Sequence, residues 1–447
     1  MKILHYSLGF PPYRSGGMTK FCVDLMQEQR KEGYEVALLW PGQINHLGGR
    51  VRIKQHKAVN GIGSLEIINP LPISYDEGIT DIEAFTKSVD AKPFEELLKE
   101  YKPDIIHLHT LMGLHREFIA AAKKLGIRTV YTTHDFFAFC PKVTMFRNGA
   151  FCAEAASCSY CSQCNSTAMP MNMIVLMQSG LYRVLKNNSI VRRLRKQHRD
   201  DFLGKKGNTT KTAEHQETDD GAEKYKALRN YYVEMLKSID VIHFNSTITK
   251  SIYEQFMDVK KSVVIPITHA DIKDRRRIKS YNDSTLRFTY MGAQSQAKGY
   301  FLLTEALDQL WMKRWDFCLN VFFVPTDEKP YISAHERYSY DQLPFIMDNT
   351  DVLIVPSICP ETFGYTVLEA LSCGVTVIIS DMVGAKEILA EGCGIVISDI
   401  TAEKLSDTIN ALTPEKLSNM NHAIVDHQEI QTIEAMAEDI NNKCYMK

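Results

Sequence analysis

The sequence predicts an α/β protein of two doubly wound, Rossmann-like domains, each a parallel sheet covered by helices on both faces. Three observations carry that expectation. The 447 residues are 45% hydrophobic, which is enough to build two buried cores of ordinary size. Short apolar runs alternate with helical patterns up to about residue 132, and the alternation returns from residue 285. The apolar runs are continuous rather than alternating, as in strands buried on both faces.

In chain order, Lys2–Leu8 reads as a strand, Gly9–Gly17 as a Gly/Pro/Ser-rich loop, and Met18–Glu32 as a helix ended by Gly33. The strand Glu35–Trp40 completes a βαβ unit. A helix at Ala91–Lys102, a strand at Ile105–Leu108, a helix at Leu114–Leu125 and a strand at Thr129–Thr132 continue the series. Residues 136–235 then interrupt it with cysteine-rich, basic and polar stretches, and Gly204–Lys224 is expected to be a mobile loop. Strands resume at Val241–Phe244 and Val263–Pro266, before a polar connector, Asp271–Ser284. Further strands are expected at Leu286–Met291, Cys318–Val324, Val352–Pro356, Val375–Ser380 and Gly394–Ile397. The expected domains are therefore 1–270, carrying the insertion 136–235, and 285–420. A helical stretch, Ile430–Lys443, lies in the last segment, 425–447, with nothing obvious of its own to pack on.

Composition removes several classes of function. The 52 basic and 54 acidic residues leave a formal charge of −2, which gives no reason to expect a nucleic-acid partner. With 24 glycines and 16 prolines the chain is neither collagen-like nor broadly disordered. Met1–Pro12 meets Gly9, Pro11 and Pro12 before a signal-peptide core could complete, and no window approaches the roughly 18 apolar residues of a spanning helix. A cytoplasmic, reducing location is the expectation, either soluble or peripheral at the inner membrane face.

Five of the eleven cysteines cluster: Cys140, Cys152, Cys158, Cys161 and Cys164, the last three in two overlapping CxxC spacings. That spacing predicts a structural zinc on Cys152, Cys158, Cys161 and Cys164, with Cys140 as the alternative fourth ligand. An iron–sulfur cluster and reduced, unliganded thiols are the other readings. Beyond them, Ile174–Leu185 is apolar and Arg192-Arg193-Leu194-Arg195-Lys196 basic. The pattern over 174–199 suits either peripheral contact with an anionic membrane surface or a core-packing helix with a solvated basic end.

Three places point to chemistry. Gly16-Gly17 lies between the first strand and its helix, where backbone N–H groups can approach an anion, although alone the pair describes a tight turn. His134-Asp135 follows the strand Thr129–Thr132, at the end of a parallel strand where ligands bind. The sharpest signal is Pro360-Glu361-Thr362-Phe363-Gly364-Tyr365-Thr366-Val367-Leu368-Glu369-Ala370-Leu371, directly after an expected strand. It sets two carboxylates eight positions apart around a helix start, with Gly364 and its neighbours offering N–H groups to a diphosphate. A carboxylate accepts paired hydroxyls naturally.

On these motifs, with Gly292, Lys298-Gly299, and Gly384 with Glu387 in matching order, the chain resembles glycosyltransferase family four, retaining enzymes of the GT-B fold. The resemblance covers nearly everything outside 140–235. It implies two domains facing a cleft, and a UDP- or GDP-linked sugar donor held by the second of them. Glu369 would take the ribose hydroxyls, Lys298 and the backbone after Phe363, through Gly364, Tyr365 and Thr366, the diphosphate, and Glu361 the hydroxyls of the sugar. Gly16 and Gly17 would face the diphosphate from the other domain, and His134 would approach the reacting face. It further implies no catalytic metal, an acceptor that is a glycan or lipid-linked glycan, and a final helix crossing back to the first domain.

One departure stands out. Where many members carry an arginine after the first of these glycines, this chain has Ala293-Gln294, with Arg14 as a candidate replacement. The departure motivates an alternative, a catalytically weak, metal-stabilised binding or scaffold protein on the same fold. A dinucleotide-dependent oxidoreductase is disfavoured because no G-x-G-x-x-G follows the first strand.

Overall fold

The computed structural model describes residues 1–45, 49–74, 77–152, 157–186, 188–189, 191, 193, 219–281 and 285–446. Most of the polar stretch 204–224 and of the basic run 192–196 lies outside them. The chain divides into two units: residues 1–148, 152–242 and 256–261 form one, and residues 149–151, 243–255 and 262–447 the other. The described residues of the connector expected to separate the domains, 271–281, lie inside the second unit.

The N-terminal sheet is built from β1 (Lys2–Tyr6), β2 (Glu35–Pro41), β3 (Arg52–Val59), β4 (Ile62–Ile68), β5 (Ile105–Leu108), β6 (Arg128–Thr132), β7 (Val241–Phe244) and β8 (Ser262–Val264). Its spatial order is β8-β7-β6-β5-β1-β2-β4-β3, and the division between the units falls at its last two strands in sequence. β1 pairs parallel with β2 and β5, β5 with β6, and β2 with β4. Such pairing needs crossovers, and the helices Gly17–Lys31 and Arg116–Lys124 supply two of them.

The edge departs from expectation. β3 and β4 form an antiparallel hairpin that the apolar pattern did not announce, because β3 is mostly exposed and polar. The polar stretch is corrected as well: its last residues begin a helix, Asp219–Lys237, that buries Tyr225, Leu228, Tyr232, Val233 and Leu236. Spacings of three and four place those side chains on one helical face, and burying that face fixes the segment.

The second sheet contains β9 (Leu286–Tyr290), β10 (Phe317–Val321), β11 (Ile332–Ala334), β12 (Val352–Val355), β13 (Thr376–Ser380) and β14 (Gly394–Ile397). Its order is β11-β10-β9-β12-β13-β14, parallel at every pair. Its core joins Phe288, Leu319, Val352 and Ile378 to Leu303, Ala306 and Leu307 of the helix Tyr300–Trp311. The expected final helix forms at Ile433–Ile440 and does find packing, since Met436, Ala437 and Ile440 are fully buried. Among the described residues no helix is long and apolar enough to cross a membrane.

Candidate donor site

In the second unit, β9 and β12 are neighbours at the centre of the sheet, and the loops leaving them carry the chemistry. Lys298-Gly299 closes the loop after β9 and opens the helix Tyr300–Trp311. Gly299 has φ +74, and a Cβ there would stand 1.9 Å from the Pro356 carbonyl oxygen. Only glycine lets the backbone pass that close. The Lys298 side chain is thereby set beside the loop after β12.

Lys298 Nζ lies 2.9 Å from Glu361 Oε1, and Ser357 Oγ donates to Glu361 Oε2 at 2.7 Å. Burial alone would lower the Lys298 ammonium, but the charge and hydrogen bond of Glu361 outweigh it and hold the lysine above its ordinary range. Burial alone would likewise raise Glu361, and the Lys298 charge, with hydrogen bonds from Lys298 and Ser357, holds it below the usual carboxylate range. Both groups are therefore charged at neutral pH. The resemblance assigned Lys298 to a diphosphate and Glu361 to a sugar; in the structure each is the other's partner.

Gly364 separates Glu361 from the helix Tyr365–Leu371, with φ +104 and only 2.9 Å from its would-be Cβ to Val383 Cγ1. Phe363 is buried, and its carbonyl accepts from the Ala385 N–H at 2.7 Å. Tyr365 and Thr366 open the helix, where the helix itself supplies no acceptor for their N–H groups. The helix is short, seven residues, so the site rests on side chains more than on a helix dipole.

Glu369 is the fifth residue of that helix and its side chain is 3% exposed. Its Oε1 is 3.1 Å from His269 Nε2. Its Oε2 is buried with no hydrogen-bond partner among the described residues. The His269 ring lies 5.2 Å from both the Tyr340 and the Tyr365 rings, centroid to centroid. Burial, then the Glu369 charge, pushes the nearby Tyr338 hydroxyl up. His269 is a site residue that sequence reasoning missed. At the expected arginine position, Gln294 Nε2 donates to Thr326 Oγ1 at 2.6 Å.

In the first unit, Gly16 precedes and Gly17 opens the helix Gly17–Lys31, as expected. His134 is half-buried after β6, its ring edge-on to Phe21 at 4.8 Å and tilted against His109 at 5.7 Å. Asp135 Oδ1 accepts from the Phe137 N–H at 2.9 Å, and burial raises its carboxyl to about 6 despite that bond and one from Thr110. Behind His134 stands a buried set the sequence did not announce. His109 Nε2 and His5 Nδ1 are 2.9 Å apart, and His5 Nε2 is 2.8 Å from Gln29 Oε1.

The five cysteines of the expected zinc site lie near one another in sequence and interact in part. Cys158 and Cys161 share a hydrogen bond that, with burial, pushes the Cys161 thiol up; burial and neighbouring Cys164 push Cys140 up to about 11. A tetrahedral ion with Zn–S near 2.3 Å needs sulfurs about 3.8 Å apart. Among the described residues, the one group of three or more potential ligands within 4.8 Å of each other is His5, His107 and His109. The sulfurs of Cys152, Cys158, Cys161 and Cys164, with or without Cys140, do not form such a group of three in this structure.

Known proteins bear on both units. Residues 332–427 match the family Glycosyl transferases group 1, and residues 15–156 match Glycosyltransferase Family 4, just over half the chain between them. An uncharacterized 42.6 kDa protein in the cps region of Klebsiella pneumoniae is 22% identical over 301 residues, which are 67% of this chain and 62% of that protein. The chain thus spans less than two thirds of that relative. Among solved structures, sucrose-phosphate synthase from Thermosynechococcus elongatus is similar with a TM-score of 0.57, 12% identity and 99% and 97% coverage of the two chains. Anabaena HepE in complex with UDP and glucose gives a TM-score of 0.56 at 13% identity, with 99% and 98% covered. A UDP-forming α,α-trehalose-phosphate synthase from Burkholderia xenovorans gives 0.57 at 11%, with full coverage of both. At such identities the structural likeness shows the fold, two Rossmann-like domains of the GT-B type, and the two sequence matches show the rest: the chain belongs to the family-four, group 1 glycosyltransferases.

Proposed function

We propose that this chain is a retaining glycosyltransferase that moves a hexose from a nucleotide diphosphate sugar to a glycan or lipid-linked glycan, in the cytoplasm, for cell-surface polysaccharide synthesis. The observation that carries the reading is the pair of carboxylates flanking Gly364, one charged beside Lys298 and one buried with an oxygen still to be satisfied. A buried carboxylate oxygen without a donor costs on the order of 1–3 kcal/mol, and a ribose hydroxyl is a donor of suitable size. Lys298 would stabilise charge on the departing diphosphate with no metal ion, the role an oxyanion stabiliser fills in such transfers. Glu361, fixed by Ser357 and Lys298, would accept sugar hydroxyls. UDP in the Anabaena complex makes uridine donors the first to try, with GDP-linked sugars beside them.

The test is a thermal-stabilisation screen of nucleotide sugars, followed by turnover with the best donor. Glu369→Ala should weaken donor binding, whereas Glu361→Ala and His134→Ala should mainly lower the transfer rate. Unchanged turnover in all three removes the assignment.

Peripheral membrane contact through 174–199 belongs to the same reading. In the short helix Gly180–Leu185 the charged residue faces inward: Arg183 reaches buried Glu66 at 2.9 Å and lies over the Trp40 ring at 5.0 Å. Leu181 and Val184 are 65% and 79% exposed, the reverse of an ordinary surface helix. The basic run that follows in the sequence favours an anionic lipid surface as their cover. Vesicles containing phosphatidylglycerol should float the wild type and not a Leu181→Asn/Val184→Asn variant; equal flotation contradicts the contact.

A further inference from the structure

We infer that His269 is the positioning residue of the donor site: it holds one oxygen of Glu369 so that the other is presented, as a single fixed acceptor, to one hydroxyl of the donor's ribose. The inference rests on the reading of Glu369 as the ribose contact and adds to it a residue from a different part of the chain, 100 positions earlier.

Three features of the structure converge on it. The first is occupancy. Glu369 Oε1 is 3.1 Å from His269 Nε2, and both side chains are essentially buried, at 3% and 0% exposure. A carboxylate oxygen can only accept here, so Nε2 carries the proton and donates. The second is incompleteness. A pair serving the core alone would be expected to satisfy both oxygens, because buried polar atoms nearly always find partners. Glu369 Oε2 has none among the described residues, and neither does His269 Nδ1. The third is rigidity. The Tyr340 and Tyr365 rings both stand 5.2 Å from the imidazole, at 59° and 76° to its plane, which restricts its rotation. A ligand held by a group whose rotamer is already fixed binds without the cost of ordering it.

The consequence concerns recognition of the diol. With both oxygens open, a carboxylate can take two neighbouring hydroxyls at once. Here Oε1 already faces His269, which leaves Oε2 as the fixed acceptor for a ribose hydroxyl, and Glu369 discriminates against a nucleotide lacking that hydroxyl. Sites that hydrogen-bond a hydroxyl from a buried group reject the analogue without it, because the group is left unpaired.

The experiment is calorimetric titration of the full chain with UDP, GDP, 2′-deoxy-UDP and 3′-deoxy-UDP, using wild type, His269→Ala and His269→Gln. Glutamine places an Nε2 donor near the position of the imidazole Nε2, so it tests the hydrogen bond while preserving bulk. Wild type should bind a ribonucleoside diphosphate and prefer it by about tenfold over one of the two deoxy forms, the size of one hydrogen bond to a charged group. His269→Gln should keep that preference. His269→Ala should bind about tenfold more weakly and lose most of the preference. Undiminished affinity and preference in His269→Ala overturn the inference while leaving the nucleotide reading intact. Loss of the preference in His269→Gln as well as His269→Ala, with both variants melting as wild type does, assigns the effect to ring packing rather than the hydrogen bond and also overturns it. Absence of binding by wild type to either ribonucleoside diphosphate overturns the nucleotide reading, and this inference with it.

Discussion

Individual side chains in this protein are set by pairing more than by position. Lys298 and Glu361 keep each other charged, so removing the lysine does more than subtract a cation: it leaves a part-buried carboxylate held by the Ser357 hydroxyl. Lys298→Met should therefore lower donor turnover by about 100-fold, the scale on which single oxyanion donors act, as measured by initial rates at saturating donor. Asp135 behaves in the opposite sense. Its carboxyl titrates near 6 in the folded chain against an ordinary value of 3.8, so the folded state holds the proton more tightly. Its contribution to stability is present below about pH 4 and is lost as the pH rises through 6. Asp135→Asn should remove that dependence, so that the gain of the variant over wild type in urea unfolding grows from pH 4 to pH 7; a constant difference contradicts the assignment. The carboxylate pair and Lys298 were legible in the sequence because their chemistry sits in contiguous motifs. His269 was not, because it reaches Glu369 only through the fold.

At the scale of elements, the sequence announced most of what burial dictates. β5, β7 and β14 have the expected bounds, since each is dominated by large apolar residues. The hairpin of β3 and β4 was missed because β3 is polar and exposed, yet the signal was present in its turn: Asn60-Gly61 adopts φ +50 and +77, the pair of left-handed residues a two-residue hairpin turn requires. The helix Asp219–Lys237 was missed for a different reason, its polar start masking the Tyr225, Leu228, Tyr232 spacing behind it. The CxxC spacings were legible and pointed to zinc, but spacing does not fix where loop sulfurs settle, and no three of them lie within 4.8 Å of one another here. The join between β9, the helix Tyr300–Trp311 and the loop after β12 depends on Gly299. Gly299→Ala combines a left-handed backbone with a 1.9 Å clash against a carbonyl, and should cost upward of about 1–3 kcal/mol. The melting temperature should fall by several degrees; an unchanged value means the loop has another conformation.

For the whole molecule, the alternation of apolar runs and helical patterns was sufficient to predict two doubly wound sheets, because parallel strands can be joined only through crossovers long enough to show in sequence. What the alternation does not carry is the choice of base, sugar and acceptor, which depends on how individual loops settle around Glu361 and Glu369. Calorimetric titration of UDP-glucose and GDP-mannose into wild type and Glu369→Ala tests the central claim most directly. The account predicts saturable binding of at least one of the two by wild type and a loss of about tenfold or more in the variant. Equal affinity of the two proteins for the donor that wild type binds would contradict it.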